Sequence, residues 1–165
     1  MLEVGRFTMS QKNKGGPFGV FEEVRLVYRN KTRADDRPKI DCAESAYKIL
    51  RAHWDDDQIS LVEEAKVMFL DTRFRLMSIS TVSKGGLSGT VIDPRIVFAT
   101  ALKRRCSAII LSHNHPSGNL KPSHADISLT KKFHEAGRLL EITLADHLII
   151  SEEGYYSMAN EGHIP

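Results

Sequence analysis

The sequence predicts an α/β or α+β domain, in which helices flank a mixed β-sheet. Helical and strand patterns alternate along the chain, and turn signals separate them, which is typical of helices packed on a sheet. One short segment, Ala108–Leu111 (AIIL), is wholly apolar and is typical of a strand that is buried on both faces. These observations together favour a central sheet with a covered interior strand.

The composition is that of an ordinary globular protein. The chain has 165 residues, of which 41% are hydrophobic and 27% charged, which is enough for one domain with one core. Its net charge of +2 and the absence of a basic stripe do not support nucleic-acid binding.

Cys42 and Cys106 form no CxxC pair and predict free thiols. No segment has the pattern of a membrane span or signal peptide, so we expect a cytoplasmic protein.

The first half of the chain predicts an arm, two strands of a hairpin and a helix. Residues 1–19 are rich in glycine and polar residues and predict a disordered arm, which leaves 20–165 as a single domain. Alternation predicts a further strand from residue 20 to 28. Asp41 and Glu44 have the capping-box spacing, so a helix is expected to begin there. The hairpin is predicted from strands at 67–70 and 76–82, joined by a turn at 71–74.

The second half predicts two more helices and three more strands. The glycine-rich loop at 84–89 lacks the residue order of a phosphate-binding loop. Asp93 and Pro94 predict the start of a helix, with Ile96, Val97, Thr100 and Ala101 as its buried stripe. After the apolar strand, we expect a helix from Ser123 to Ala136 that Gly137 ends. Strands are then predicted at 141–145 and 147–151.

The stretch SHNHPSGNLKPSHAD, residues 112–126, holds the candidate functional residues. His113 and His115 follow the apolar strand and, being two residues apart, project to the same side of it. Asp126 lies at the start of the next helix, and the intervening loop is long enough to fold back to the strand. Two imidazoles, a carboxylate and one open position form the usual catalytic zinc site. The pattern therefore predicts one zinc ion per chain, bound by His113, His115 and Asp126.

The same residues have a second interpretation. Ser123 followed by Asp126 is also the pattern of a helix N-terminus, with serine as the cap and an acid in the first turn. The two interpretations are compatible, because a cap determines where the first-turn side chains point. A Ser/His/Asp nucleophilic triad is disfavoured because no Gly-x-Ser-x-Gly turn is present. The letters HNH at 113–115 are too close together for the spread-out HNH nuclease motif.

His113-x-His115, Ser123 and Asp126 match every fixed position of the pattern H-x-H-x7-S-x2-D. The chain thereby resembles the JAMM metalloproteases, also called MPN-plus or JAB domains. From about residue 63 to 157 it resembles more closely the C-terminal domain of the bacterial RadC family. The segments that carry this resemblance are VMFLDTRFRLM, IDPRIVFATALKRR, IILSHNHPSGNLKPSHADISLTKKFHEAG and LADHLIISEEGYYSM. The helix-hairpin-helix module often found in RadC proteins is not recognisable in residues 1–55, so the chain looks like a shortened form.

The resemblance implies a three-layer JAB/MPN-like fold, which is also cytidine-deaminase-like, and a zinc-dependent hydrolase of peptide, isopeptide or related amide bonds. It implies that Glu63 is the general base, with its neighbour Glu64 as the alternative. It also gives Ser123 a role as hydrogen-bond partner of the water or the oxyanion. His147 matches a RadC-like position, where a structural role is preferred to metal ligation.

An alternative of a different class is a catalytically silent MPN-like domain that serves as a scaffold or a DNA-repair accessory protein. The family's association with DNA repair specifies no mechanism, and the sequence contains no groove-reading helix. We expect a peptide or protein substrate and no membrane partner. No recognition insert identifies the substrate, and no pattern indicates the oligomeric state.

Overall fold

A mixed five-stranded sheet organises the protein. The computed structural model describes residues 32–85 and 91–165, and residues 34–165 form one compact unit. The strands are β1 (Glu64–Leu70), β2 (Leu76–Lys84), β3 (Ala108–Asn114), β4 (Thr143–Ile150) and β5 (Tyr155–Ser157), and the helices are α1 (Ala43–Arg51), α2 (Pro94–Arg104) and α3 (His124–Leu139), with a 3-10 turn at Ala34–Asp36. In the sheet order β2-β1-β3-β4-β5, the pairing of β3 with β4 is parallel and the other pairings are antiparallel. This topology confirms the predicted mixed sheet.

Alternate residues of the central strands pack against helices on opposite faces of the sheet. β1 and β3 are buried along their whole length, as expected for strands that are covered on both sides. The face towards α2 and α3 contains Val67, Ile109, Leu111, Val97, Phe98 and Phe133. The face towards α1 contains Met68, Ile110, Leu148, Leu50, Trp54 and Ile59. The resulting three layers are those that the resemblance implies.

The hairpin of β1 and β2 lies where the sequence predicts it, although both strands are longer than predicted. Asp71 organises its turn, because its Oδ1 accepts hydrogen bonds from the main-chain N–H groups of Arg73 at 2.9 Å and Arg75 at 3.0 Å. Phe74 adopts a left-handed conformation with φ of 56° to close the turn. A short polar side chain that bonds to nearby N–H groups is a common device for such turns.

The predicted start of α1 is wrong in detail. The helix begins at Ala43, and Cys42 occupies the cap position. Ser45, rather than Glu44, closes the first turn, because its Oγ accepts hydrogen bonds from the N–H groups of Asp41 and Cys42 at 3.2 Å. With Cys42 as the cap, the third helical position falls on Ser45 and not on Glu44, so Ser45 is the residue that can bond back to the cap.

The predicted cap of α2 is confirmed, but its buried stripe is wrong in part. The Asp93 Oδ1 accepts a hydrogen bond from the Arg95 N–H at 2.9 Å. Ile96 is 55% exposed, whereas Phe98 is buried and stacks on Phe133 of α3 with ring centroids 5.5 Å apart. The helix is therefore rotated so that its aromatic residue, which has more apolar area to bury, faces the core.

The predicted end of α3 and the predicted pair of final strands are also wrong. Gly137 lies inside α3, where an added Cβ would collide with the carbonyl oxygen of Ile142. Its own carbonyl accepts a hydrogen bond from the Ile142 N–H at 2.9 Å, which joins the helix to the next strand. The segments at 141–145 and 147–151 form the single strand β4, because one parallel ladder with β3 continues through a register shift. β5 was not predicted.

Several predictions concern residues outside the described ranges. The arm at 1–19, the strand at 20–28, most of the glycine-rich loop and the domain boundary at residue 20 therefore stay predictions. In residues 32–85 and 91–165, no helix combines the length and apolar character needed to cross a membrane.

Candidate metal centre

The end of β3 presents the two predicted histidines. His113 is buried and lies opposite Ala65 of β1, so its ring is on the sheet face that α2 and α3 cover. His115 follows the strand, and its N–H donates a hydrogen bond to the carbonyl of Ile150 at 3.0 Å. The main chain of His115 is thus held against the end of β4.

Asp126 reaches the histidines from the first turn of α3. The Ser123 Oγ accepts a hydrogen bond from the Asp126 N–H at 3.2 Å. In return, the Asp126 Oδ2 accepts from the Ser123 N–H at 2.7 Å and from the Ser123 hydroxyl at 2.6 Å. This reciprocal cap orients the carboxylate. The Asp126 Oδ1 then lies 3.2 Å from the His113 Nε2, and its Oδ2 lies 3.7 Å from the His115 Nε2.

Three electron-pair donors converge at this point. The Nε2 atoms of His113 and His115 are 3.0 Å apart, and together with a carboxylate oxygen of Asp126 they all lie within 4.8 Å of one another. The His115 Nδ1 lies 2.5 Å from the carbonyl oxygen of Asn119. Because a carbonyl only accepts, the proton of the neutral His115 ring is on Nδ1, and the electron pair of Nε2 is free to bind a metal. Two imidazole nitrogens and a carboxylate oxygen fit a divalent metal such as zinc.

The ionisation states of the surrounding groups also suit a metal. Burial by itself would raise the pKa of the Asp126 carboxyl, but its contacts with His113 and Ser123 outweigh burial and hold that pKa well below its ordinary range. Complete burial lowers the pKa of His147 well below its ordinary value, and the neighbouring His113 lowers it further. At neutral pH the site therefore combines an anionic carboxylate with a neutral supporting ring, as metal binding requires.

His147 and Thr130 lie directly behind His113. The His147 Nε2 is 2.9 Å from the His113 Nδ1, and the His147 Nδ1 is 2.7 Å from the Thr130 Oγ1. His147 contacts a candidate ligand and is not itself part of the converging group. The sequence reasoning missed Thr130. Its spacing of four residues from Asp126 places both on one face of α3, which is the signal that could have found it.

Asn114 lies between the two histidines and points to the opposite face of the sheet. Its Nδ2 donates hydrogen bonds to the carbonyls of Ile59 at 2.6 Å and Val62 at 2.8 Å. Its Oδ1 accepts from the Glu64 N–H at 2.7 Å and from the Trp54 Nε1 at 3.2 Å. Asn114 therefore anchors the segment that enters β1.

Glu64 is engaged on the same face as Asn114, away from the converging donors. Its Oε2 accepts a hydrogen bond from the Lys66 Nζ at 2.8 Å, and its Oε1 from the Lys84 Nζ at 2.9 Å. Burial by itself would raise the pKa of Glu64, but the hydrogen bonds from Lys66 and Lys84 outweigh burial and lower it. Glu64 is therefore an ionised, paired structural group.

Glu63 immediately precedes β1 and is half-buried. Its carbonyl accepts a hydrogen bond from the Gly85 N–H at 2.8 Å, so pairing with the hairpin partner reaches back to residue 63. Residues two apart in an extended strand share a face. Since Ala65 pairs with His113, this alternation predicts that Glu63 faces the histidine side of the sheet.

Protein nucleophiles of other kinds find no support at this site. The Ser123 hydroxyl donates to Asp126, whereas a nucleophilic triad requires it to bond to a histidine ring. Cys42 and Cys106 are free thiols, as predicted. Burial raises the pKa of Cys106 to about 11, so this thiol is protonated at neutral pH.

Comparison with known proteins identifies the family of the chain. The model of the RadC-like JAB domain matches residues 40–163. The chain belongs to this family. It is 47% identical over 100 residues to a UPF0758 protein of Flavobacterium johnsoniae, an alignment that covers 61% of this chain and 44% of that protein. It is 36% identical over 145 residues to a UPF0758 protein of Syntrophotalea carbinolica, which covers 87% of this chain and 61% of that protein. The chain thus spans about half the length of these curated relatives.

Proposed function

We propose that this domain is a zinc-dependent hydrolase of the JAMM type, which cleaves a peptide, isopeptide or related amide bond. The convergence of His113, His115 and Asp126 within 4.8 Å, in a domain of the RadC-like JAB family, is the observation that carries the proposal. When bound there, zinc would supply Lewis acidity, which in such sites lowers the pKa of water to about 7 and polarises a substrate carbonyl.

Glu63 is the proposed general base, which takes a proton from the attacking water and returns it to the leaving amine. Its support is strand alternation, which predicts that Glu63 faces the histidine side, while Glu64 is paired with two lysines on the other side. Asn114 bonds to the carbonyl of Val62 and the N–H of Glu64, and so holds the main chain on both sides of residue 63. This anchoring supports a defined main-chain position for the proposed base.

Ser123 contributes by orienting Asp126. Its hydroxyl donates to the Asp126 Oδ2, and its oxygen accepts from the Asp126 N–H. Its further role as an oxyanion donor is a proposal that requires the hydroxyl to turn from this carboxylate towards the substrate. Ser123 would then have two roles. Its hydroxyl would first orient the Asp126 carboxylate and would then donate to the reacting oxygen of the substrate.

The metal is tested first. Wild-type protein should bind about one zinc ion per chain, and zinc at 100 times its dissociation constant should raise the free energy of unfolding by about 2.7 kcal/mol. His113→Ala should lose both effects, whereas His53→Ala, at an exposed position, should keep them. The measurements are metal analysis after dialysis and urea unfolding with and without zinc. Stoichiometric zinc in His113→Ala would overturn the site.

The base is tested separately with peptide and isopeptide amide probes. Glu63→Gln should keep its zinc but lose turnover by about 100-fold or more, because general acid–base catalysis contributes roughly that factor at least. Glu64→Gln, its neighbour on the opposite face, should keep turnover close to wild type. Unchanged turnover in Glu63→Gln would show that the base is misassigned. Zinc binding without turnover of any probe by the wild type would favour the silent scaffold.

A further inference from the structure

A chain of hydrogen bonds lies behind the converging donors and joins two of them. It runs from the His113 Nδ1 to the His147 Nε2 at 2.9 Å, and from the His147 Nδ1 to the Thr130 Oγ1 at 2.7 Å. The Thr130 Oγ1 lies 2.7 Å from the main-chain carbonyl oxygen of Asp126. The Asp126 Oδ1 in turn lies 3.2 Å from the His113 Nε2. These contacts link β3, β4 and α3.

The protons in this chain of hydrogen bonds can be ordered from one end. The main-chain carbonyl of Asp126 only accepts, so the Thr130 hydroxyl donates to it. The Thr130 oxygen then accepts from the His147 Nδ1–H, which leaves the His147 Nε2 as an acceptor. The His113 Nδ1 must in turn donate to that nitrogen, and in the neutral His113 ring the electron pair of Nε2 is left pointing at the other two ligands. A second acceptor near the Thr130 hydroxyl, the Met158 Sδ at 3.2 Å, is weak and does not compete with a carbonyl.

A histidine is an ambiguous support for another histidine. A carbonyl or carboxylate behind a metal-binding ring can only accept, and so it fixes the ring's tautomer alone. A neutral imidazole can either donate or accept through the nitrogen that faces the ring. The reverse order of donors would leave the proton on the His113 Nε2, which could then not bind a metal. Thr130 and the helical carbonyl of Asp126 remove this ambiguity.

We propose that His147 and Thr130 are positioning residues that hold His113 in the tautomer whose Nε2 binds the metal. That the bound metal is zinc rests on the proposed function, whereas the order of the protons in these hydrogen bonds is a property of the chain alone. His147 is 0% exposed and Thr130 is 1% exposed, so water is excluded from replacing a lost partner. Removing such outer partners typically lowers metal affinity by about 10- to 100-fold.

Zinc affinity, measured by competition with a chromophoric chelator, tests the proposal. His147→Leu and Thr130→Val should each weaken zinc binding by about 10- to 100-fold. Thr130→Ser, which keeps the hydroxyl, should bind nearly as tightly as the wild type. His147→Gln should regain much of the affinity lost in His147→Leu, because its amide oxygen can accept from the His113 Nδ1. Equal losses in Thr130→Val and Thr130→Ser, with equal melting temperatures, would overturn the role of the hydroxyl.

Nitrogen-15 NMR of the metal-free protein gives a readout that a merely structural role would not change. The His113 ring of the wild type should carry its proton on Nδ1, and Thr130→Val should show a mixture of the two tautomers. A wild-type ring protonated on Nε2 would overturn the inference, and so would an unchanged tautomer in Thr130→Val. Failure of the wild type to bind zinc would overturn the proposed function, while the NMR result would still decide the proton order.

Discussion

The side chains of residues 113–115 point to the two faces of the sheet, and the buried polar groups on the two faces differ in kind. On one side, Asn114 has both of its amide hydrogens and its carbonyl oxygen paired with protein groups. On the other side, His113, His115 and Asp126 turn electron pairs towards one another. A fully paired buried amide stabilises one structure, whereas converging acceptors need a proton or a cation between them. Both sides contain buried polar groups. The balance of hydrogen-bond donors and acceptors is therefore the feature that distinguishes the candidate functional site from the structural one.

Adjacent glutamates repeat this contrast. Glu64 has a lysine at each carboxylate oxygen and is an internal ion pair. Glu63, one residue earlier, falls on the histidine side by alternation. A shift of one residue in an extended strand therefore separates a structural carboxylate from the proposed base.

Removing the paired amide should have the largest effect on stability. Asn114→Ala leaves the N–H groups of Glu64 and Trp54 without their partner, and each unsatisfied buried group costs about 1–3 kcal/mol. We expect the free energy of unfolding to fall by on the order of 4 kcal/mol in urea titrations of the metal-free protein. Asn160→Ala, at an exposed position, should change it by less than about 0.5 kcal/mol. A loss below about 1 kcal/mol in Asn114→Ala would remove the contrast between the two sides.

The ion pair beside Asn114 should show a pH-dependent contribution. The folded-state pKa of Glu64 is lowered below its ordinary value of 4.5, so its stabilisation is present above that pH and is lost as the pH falls through the folded pKa. Glu64→Gln should therefore reduce the free energy of unfolding by on the order of 2 kcal/mol at pH 7 and by progressively less below pH 4.5.

Urea unfolding of both proteins from pH 3 to 7, a window of about four units around the carboxylate range, measures this difference. Glu44→Gln is the control, because Glu44 pairs with Lys48 on the surface of α1. A difference between wild type and Glu64→Gln that grows on acidification would have the wrong sign and would contradict the pairing.

The smallest effect is expected at the cap on the metal side. Ser123→Ala removes the reciprocal bonds with Asp126 and should lower the free energy of unfolding by about 1 kcal/mol. It should also weaken zinc binding, because the carboxylate loses the hydroxyl that orients it. Ser123→Thr, which keeps a hydroxyl, should stay close to wild type in both measurements. Urea unfolding and chelator competition on the same samples compare the two variants with the wild type. Full zinc affinity in Ser123→Ala would contradict the role of the cap in orienting the Asp126 carboxylate.

Local patterns predicted the elements around the site correctly. The apolar run before His113, the cap at Ser123 and the cap at Asp93 depend on neighbours a few residues away, and each is observed. The errors lie where a distant segment decides. Gly137 stays inside α3 because of its close contact with Ile142, and Ile96 is exposed because Phe98 faces the core.

The sequence by itself determined the mixed sheet and the three residues that converge at the end of β3, because alternation in a strand and capping at a helix start are local properties of the chain. Only the tertiary structure decided which carboxylate of the 63–64 pair is engaged elsewhere. It also decided that His147 lies behind His113, with Thr130 beside it. These contacts depend on the antiparallel pairing of β1 with β3 and the parallel pairing of β3 with β4. Strand pairing joins segments that are distant in sequence, and no local periodicity encodes its register.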